Sequence, residues 1–541
     1  MLAMKIINYL SLLLILYWFT SCEYSLDEIP KSTASPENYY KTEDHVNAAV
    51  VGVYNALQRT GAYAQKQHFI TTDIVRTASW NTQGGIGTYT FSADNSQVIL
   101  PIWVDHYRGI NEANAAINNI PNADVDEDLK QRLIAEATFI RVLFYFNLIR
   151  YFGDVPYITQ NTTSLDELLV QRDPVDKIYQ NLITDLEFCI EHLNPKGDSE
   201  PGRATVGSAK SVLSKVYLTR GSMAKRDGTS SGMDDFTKAA QYAKEVIDAA
   251  EYQLEDYYPD VFIIENKNND EIVFDVQFKA GGINEGNFIG MHMGLQGPKE
   301  KGGSWGNINA TDFYHTMFED SDMVRMEWNT PHVRVKGDGT LKTDYSEMHW
   351  EVWKIGKFRR YPVRNPNFNF DDHEVHWPVF RYAEVLLVYA EALNEINSGP
   401  TQEIFDVLNQ LRARARNVNG DGTMEYLHED ILPRELTYDT SILPDISVVD
   451  YPDYASLQQY IMDERARELG GETKRWFDLV RWGKLVENIQ YLDQHIPPGR
   501  TRKESKDWAI TAGNVQPHHM LFPIPQSEIN ANPNLTQNPG Y

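Results

Sequence analysis

Cysteine is nearly missing from these 541 residues: the chain holds two, Cys22 and Cys189. Disulfides therefore cannot frame the fold, and a chain of this length has no need of them because it can bury a large core. Basic residues are scarce relative to acidic ones, 50 Lys and Arg against 76 Asp and Glu, for a formal charge of −26. That balance excludes a nucleic-acid partner, since phosphates demand clustered Lys and Arg. Long apolar runs are also lacking. Beyond Phe19 no segment reaches the roughly eighteen consecutive apolar residues that mark a membrane helix. Aromatic residues, in contrast, are abundant at 12%, with 30 Tyr and 11 Trp. That is more than a core alone requires, so some rings are expected to face a ligand.

The N-terminus has its own grammar. Lys5 is followed by an apolar stretch from Leu10 to Phe19, too short to span a bilayer, which takes about twenty residues, and suited to an export signal. Thr20 and Ser21 then lead into Cys22. Apolar run, small residues and cysteine in that order resemble the lipobox of bacterial lipoproteins, so residues 1–21 read as a lipoprotein signal peptide and Cys22 as the lipidated first residue. Residues 22–40 carry Glu23, Asp27, Glu28, Pro30, Ser32, Ser35 and Pro36, a solvated and structure-poor composition suited to a flexible tether. The rest is expected to be soluble and held by lipid alone.

From residue 41 onward helical periodicity dominates. In "DLKQRLIAEATFIRVLFYFNLIRYFGDVP", Leu133, Ala137, Ile140, Phe144 and Leu148 share a face, and Gly153 with Pro156 ends the run. "RATVGSAKSVLSKVYLTRG" repeats the logic with Val206, Ala209, Leu213 and Val216. In "FRYAEVLLVYAEALNEINSGP", Tyr382, Val385 or Leu386, Tyr389 and Leu393 form a stripe, and "TQEIFDVLNQLRARARN" follows as a partner that faces it with Ile404, Leu408 and Leu411. The pairs have roughly tetratricopeptide length but are separated by long insertions. Those insertions, at 76–104, 264–310 and 330–378, are rich in Gly, Asn, Trp and Tyr with short strand-like runs such as "EIVFDVQF". Helical pairs flank every irregular block, so one interleaved domain over 41–541 is the expectation. Cys189 falls in a helical pattern and reads as a small buried apolar residue.

Catalytic and metal motifs are weak. "GGSWG" at 302–306 satisfies G-x-S-x-G, yet the polar, proline-broken "LQGPKEK" precedes it where a nucleophile elbow needs a buried strand. Ser304 is therefore not assigned as a nucleophile. "DDHEVHW" offers His373, Glu374 and His376, but H-E-x-x-H is absent and a solvated loop is expected. In "NVNGDGTMEYLHE", Asn417, Asn419, Asp421 and Gly422 match a calcium loop until position twelve, where His428 replaces the bidentate Glu and Glu429 follows. No metal and no cofactor is assigned. Paired carboxylates for glycoside hydrolysis need a fixed separation across the sugar bond, and nothing in the sequence singles out such a pair.

Five stretches together resemble the SusD/RagB family of outer-membrane, nutrient-binding lipoproteins: 135–159, 203–221, 380–397, "IMDERARELGGETKRWFDLVRWGKL" at 461–485, and the ending "LFPIPQSEINANPNLTQNPGY". They occur in the family's order along nearly the whole mature chain. The resemblance implies a mainly α, SusD-like fold with four tetratricopeptide-like helix pairs as scaffold and a looped ligand face. It further implies a non-catalytic glycan-binding lipoprotein, not an enzyme, lipid-anchored in the outer membrane and facing the exterior. Its partners would be an oligo- or polysaccharide and a SusC-like TonB-dependent transporter to which it acts as a tethered lid.

The charged residues in these stretches, Glu136, Arg141, Arg381, Glu384, Glu464, Arg465, Glu468, Arg475 and Asp478, have the composition of helix-surface and interhelical ion pairs. Trp476, Phe477 and Leu479 suit a helix buried against neighbours. Binding is sought instead in the irregular loops, where flat rings can pack on pyranose C–H faces and amides can bond hydroxyls. "TASWNTQGGIGTYTFSADNSQ" supplies Trp80, Asn81, Gln83 and Tyr89, and "GPKEKGGSWGNINATDFYH" supplies Trp305 and Asn307. No residue in these loops is carried over from a family motif. Two alternatives stand beside this reading: a secreted glycoside hydrolase, and a peptide-binding or structural partner of the transporter.

Overall fold

The structure is a computed structural model that describes residues 40–541 except 79–80, 82, 161–168, 284, 332, 343–352, 362–371, 420–435, 439–440 and 495–511. Cys22, the signal and most of the tether thus lie outside the described residues, as does Trp80. The fold is mainly helical. Its scaffold is α1 (Glu43–Asn55), α2 (Ile99–Asn119), α3 (Glu127–Phe152), α4 (Val175–His192), α5 (Val206–Arg226), α6 (Met233–Ala249), α7 (Tyr382–Asn397), α8 (Gln402–Ala415), α9 (Tyr454–Leu469), α10 (Arg475–Arg481) and α11 (Leu485–Gln494).

Local chemistry sets where these helices begin. Asp126 accepts from the Asp128 and Leu129 amides ahead of α3, while Thr205 with Ser208 and Asp453 with Ser456 form reciprocal capping boxes ahead of α5 and α9. Gly153, at φ 71°, ends α3. Neighbours in sequence pack on one another from α2 through α6, and α7 then packs on α6, α8 and α9. The stripe predicted for α3 is correct in membership but too narrow. From Ala135 to Phe152 nearly every residue is buried, because α2, α4 and other elements cover it from several sides. Cys189 is fully buried, its thiol directed at the Ala135 carbonyl at 3.2 Å.

Short strands tie the insertions to this frame. Strand β1 (Val75–Thr77) pairs antiparallel with β3 (Ile308–Ala310), and β2 (Ile272–Val276) pairs with β4 (Trp377–Arg381) across a bulge. One hydrophobic cluster extends from Val46 to Leu535 and includes residues from both the helices and the insertions. Among the described residues no helix is long and apolar enough to cross a membrane.

Some charged motif residues pair between helices, as predicted, such as Arg465 with Asp478 and Arg141 with Asp185, while others reach loop or strand residues, and they are not on helix surfaces. Arg381, Glu464, Arg465, Glu468 and Asp478 are each at most 1% exposed. Arg381 reaches Glu468 at 2.7 Å and Glu472 at 2.9 Å and also pairs with Glu271; Arg414 reaches Glu271 at 2.9 Å. Arg465 bonds Asp478 at 2.8 Å and Glu384 at 3.2 Å, and Arg475 holds Asp73 at 2.6 Å. Glu136, also buried, takes Arg132 and Arg203, and Arg141 takes Asp185. Isolated charges would not survive this burial, so each carboxylate is paired, Glu136, Glu271, Glu384, Glu468, Glu472 and Asp478 with two or more cations each.

Candidate functional site

The loops nominated from sequence, more than two hundred residues apart in the chain, are joined by the β1–β3 ladder. Val75 pairs with Ala310, Arg76 with Asn309 and Thr77 with Ile308. The Ala78 amide then donates to the Asn307 carbonyl at 2.8 Å, and the Asn81 amide donates back to the Ala78 carbonyl at 2.9 Å. The ladder therefore ends where the loop carrying Asn81 leaves β1 and the loop carrying Trp305 enters β3.

Trp305 is half-buried on a tightly packed turn. Its amide donates to the Met291 carbonyl at 2.9 Å, and the Ser304 amide to that of Leu295 at 2.7 Å. Gly303 lies so close to Gly297 that a Cβ would fall 2.2 Å from the Gly297 carbonyl carbon. The Trp305 ring lies 6.2 Å from that of Phe288 with only 22° between their planes, and Lys299 Nζ stands 5.0 Å from its centre. Phe288 is also half-buried. Both rings are partly open to solvent, and partly exposed aromatic rings are groups on which sugar C–H faces pack.

Behind that surface sits His292. Its Nδ1 is 2.9 Å from Asn307 Nδ2, its Nε2 is 2.7 Å from Gln65 Nε2, and its ring lies 5.3 Å from Trp305. Burial, helped by Lys66, depresses its pKa to about 4, so the imidazole is neutral at pH 7. A neutral imidazole donates from one nitrogen only, so one of the two amides must turn its oxygen to the ring.

The structure corrects two candidates. Tyr89 is 3% exposed, its hydroxyl donates to the Thr71 carbonyl at 2.6 Å, and its ring packs on Phe91 and His519. Asn307 is 4% exposed and supports His292 rather than facing solvent. Asn81 is half-buried and accepts from Gln83 Nε2 at 2.6 Å. Of the described candidates, Asn81, Gln83 and Trp305 reach the surface.

Phe288, His292 and Gln65 were missed: Gln65 lies outside the irregular blocks, and Phe288 and His292, although within 264–310, precede the Trp-bearing stretch at 297–315. Asn95 was missed too, although an Asn before the apolar run "VILPIW" is a readable helix-start signal. Its Oδ1 accepts from the Gln97, Val98 and Ile99 amides, and its Nδ2 donates to the Gln83 and Gly84 carbonyls. The same side chain thus caps α2 and holds the Asn81 loop. The C-terminal segment clasps that loop from outside: Asn514 donates to the Thr88 carbonyl, the Gln526 amide to Ala93, and Tyr541 stacks on Phe91 at 6.0 Å.

The rejected motifs resolve in detail. Ser304 Oγ donates to the Gly294 carbonyl at 3.0 Å, and the chain after it leads to β3 instead of a helix. "DDHEVHW" is not a solvated loop: His373 is buried, its backbone pairs with Asn287, and His376 contacts Asp275 at 3.1 Å. Asn417 and Asn419 lie in a strand paired with Leu436–Tyr438, while Asp421, Gly422, His428 and Glu429 are outside the described residues. Among the described residues no group of three or more His, Cys, Asp or Glu could hold a metal.

Comparison with known proteins agrees with this architecture. The SusD family model matches residues 326–541, and a second family model, described as starch-binding associating with outer membrane, matches 24–218. The SusD-like protein P25 of Formosa agariphila is 26% identical over 587 aligned positions, covering 99% of this chain and 100% of its own. The starch-binding protein SusD of Bacteroides thetaiotaomicron is 24% identical, covering 77% of this chain and 73% of its own. A solved SusD homolog from Bacteroides thetaiotaomicron superposes with a TM-score of 0.78 at 23% identity, over 94% of this chain and 98% of the other. The chain belongs to the SusD/RagB family.

Proposed function

We propose that this chain is a non-catalytic glycan-binding lipoprotein of the cell surface, which captures oligo- or polysaccharide and passes it to a SusC-like TonB-dependent transporter. The observation that carries the reading is the Trp305–Phe288 surface at the end of the β1–β3 ladder, beside the Asn81 loop. Flat apolar rings bordered by neutral amides suit a sugar, which offers C–H faces and hydroxyls and no charge. His292 behind the rings is neutral, and the charge at the site is that of Lys299, whose ammonium stands over the Trp305 ring. Support also comes from a relative named as starch-binding and from a family model described by starch binding and outer-membrane association.

In this reading Cys22 carries the lipid on the outer membrane and residues 22–40 let the body move over the transporter while staying attached. Exposed rings and amides give affinity moderate enough for the ligand to be handed on. The delivery half is tested by purifying the tagged full-length chain from outer membranes. A TonB-dependent barrel should co-purify in near-stoichiometric amount, and recovery of the lipoprotein without any barrel would contradict delivery. Cys22→Ala should move the chain out of the membrane fraction and abolish labelling by a fatty-acid probe.

A further inference from the structure

Away from the Trp305 rings, a partly open cavity of about 40 Å³ lies between α3, α5, β4 and the turn before α10. A single water needs roughly 10–15 Å³ on the same scale, so there is room for more than one water or for a larger sphere. Three cations line it, Arg150, Lys215 and Lys474, with two carboxylates, Glu384 and Glu472.

Those carboxylates are already engaged. Glu384 is shared by Lys215 at 3.2 Å, Arg465 at 3.2 Å and Lys474 at 3.1 Å, and Glu472 by Lys357 at 2.8 Å and Arg381 at 2.9 Å. The ion-pair cluster beside the cavity holds four cations, Lys215, Arg465, Lys474 and Arg481, against three carboxylates, Glu384, Glu391 and Asp478. It therefore carries a surplus positive charge before Arg150 is counted.

Arg150 adds a second. Its guanidinium lies between the Phe146 and Phe477 rings, at 3.9 and 3.8 Å from their centres. Its hydrogen bonds go to the Phe146 carbonyl and the Asn147 side-chain oxygen, both neutral. Arg150 is half-buried and bonded to no carboxylate, and a partly desolvated guanidinium in that position favours a nearby counter-charge. An independent observation points the same way. Gln67, 2% exposed, also lines the cavity, and its Nε2 is a buried donor with no partner. Leaving such a donor unpaired is costly. Glu384 Oε2, 3.1 Å from Lys474 Nζ, also lines the cavity without a hydrogen bond, so it is the surplus of cations together with the idle N–H donor, and not a lack of acceptors, that favours a negatively charged occupant.

We propose that this cavity is a binding site for one small monovalent anion of chloride size, bonded by Arg150 and Gln67 and held in the field of Lys215 and Lys474. The anion would join α3 and α5 to β4 and the 470–474 turn as an inorganic counter-ion.

The test uses the protein from residue 23 onward, with bromide as the probe. Crystals soaked in bromide should show an anomalous peak in the cavity within hydrogen-bonding reach of Arg150 and Gln67. At fixed ionic strength, replacing gluconate by 100 mM bromide or chloride should raise Tm by about 1–2 °C. Arg150→Gln should flatten that dependence. If Arg150→Gln does not fold, Gln67→Leu serves instead and should weaken the halide effect while keeping the fold. No bromide in the cavity, together with a Tm indifferent to halide, would overturn the proposal.

Discussion

Trp305 is the side chain on which the binding reading turns, because of the described candidate rings it is the one that is half-buried and not fully buried, and its backbone is fixed on both sides. Trp305→Ala should lower affinity for the cognate glycan about 10- to 100-fold, the loss of roughly 1.5–3 kcal/mol of ring contact. Phe288→Ala should cost less, since its ring backs Trp305 as well as meeting ligand. Calorimetric titration of both variants with the same oligosaccharide checks the order, and equal affinity of wild type and Trp305→Ala would remove the ring from the site. At this scale the sequence was half legible. A Trp in a glycine-rich loop announced itself, because such a loop cannot bury a large ring with its own residues. Tyr89 looked the same in its loop, but His519 and Phe91 cover it, and His519 arrives from 430 positions along the chain. No local pattern reports a contact of that kind.

At the scale of elements, the turn that presents Trp305 depends on the closeness of Gly303 to Gly297, where backbone meets backbone and no side chain can yield. Gly303→Ala should therefore displace the turn and reduce glycan affinity at least about 10-fold while Tm falls by only a few degrees. Comparing the binding isotherm with the melting curve of this variant separates the two effects; unchanged affinity would show that the turn tolerates the shift. The junction of β4, α7 and α9 behaves differently. Arg381 is 1% exposed and serves Glu271, Glu468 and Glu472 together. Arg381→Met would leave three carboxylates facing fewer cations and should cost about 3–5 kcal/mol in urea unfolding, without direct effect on the sugar face. Helix positions and ends were readable from periodicity and capping residues. The depth of the charged motifs was not, because runs such as "DERAREL" look identical on a solvated helix and on one whose partners come from other segments.

For the molecule as a whole, acid should be the weak side. Burial lowers His68, His106 and His373 from the ordinary 6.5 to about 3, 4 and 3. Below pH 6.5 the unfolded chain binds protons that these folded histidines refuse, so stability present above pH 6.5 declines as pH falls, by about 1.4 kcal/mol per unit for each fully depressed group. Glu464 adds to the loss below 4.5: against the upward push of burial, Arg325 and Arg467 hold it at about 2. Urea midpoints should therefore drop steadily between pH 7 and 4, and a flat profile would contradict the burial of these histidines. Family and helical class were legible at this scale because the motifs recur in a fixed order. The pairing of β1 with β3, which joins the two candidate loops, was not, since its strands are three residues each.

The central claim, that this surface captures glycan without cutting it, is tested most directly by affinity electrophoresis of the protein from residue 23 onward through gels containing plant, host and microbial polysaccharides, with Trp305→Ala in the adjacent lane. The account predicts retardation of the wild-type chain by at least one polysaccharide, weaker retardation of the variant, and no release of shorter sugars. Release of sugars, or equal mobility of both proteins in every gel, would contradict it.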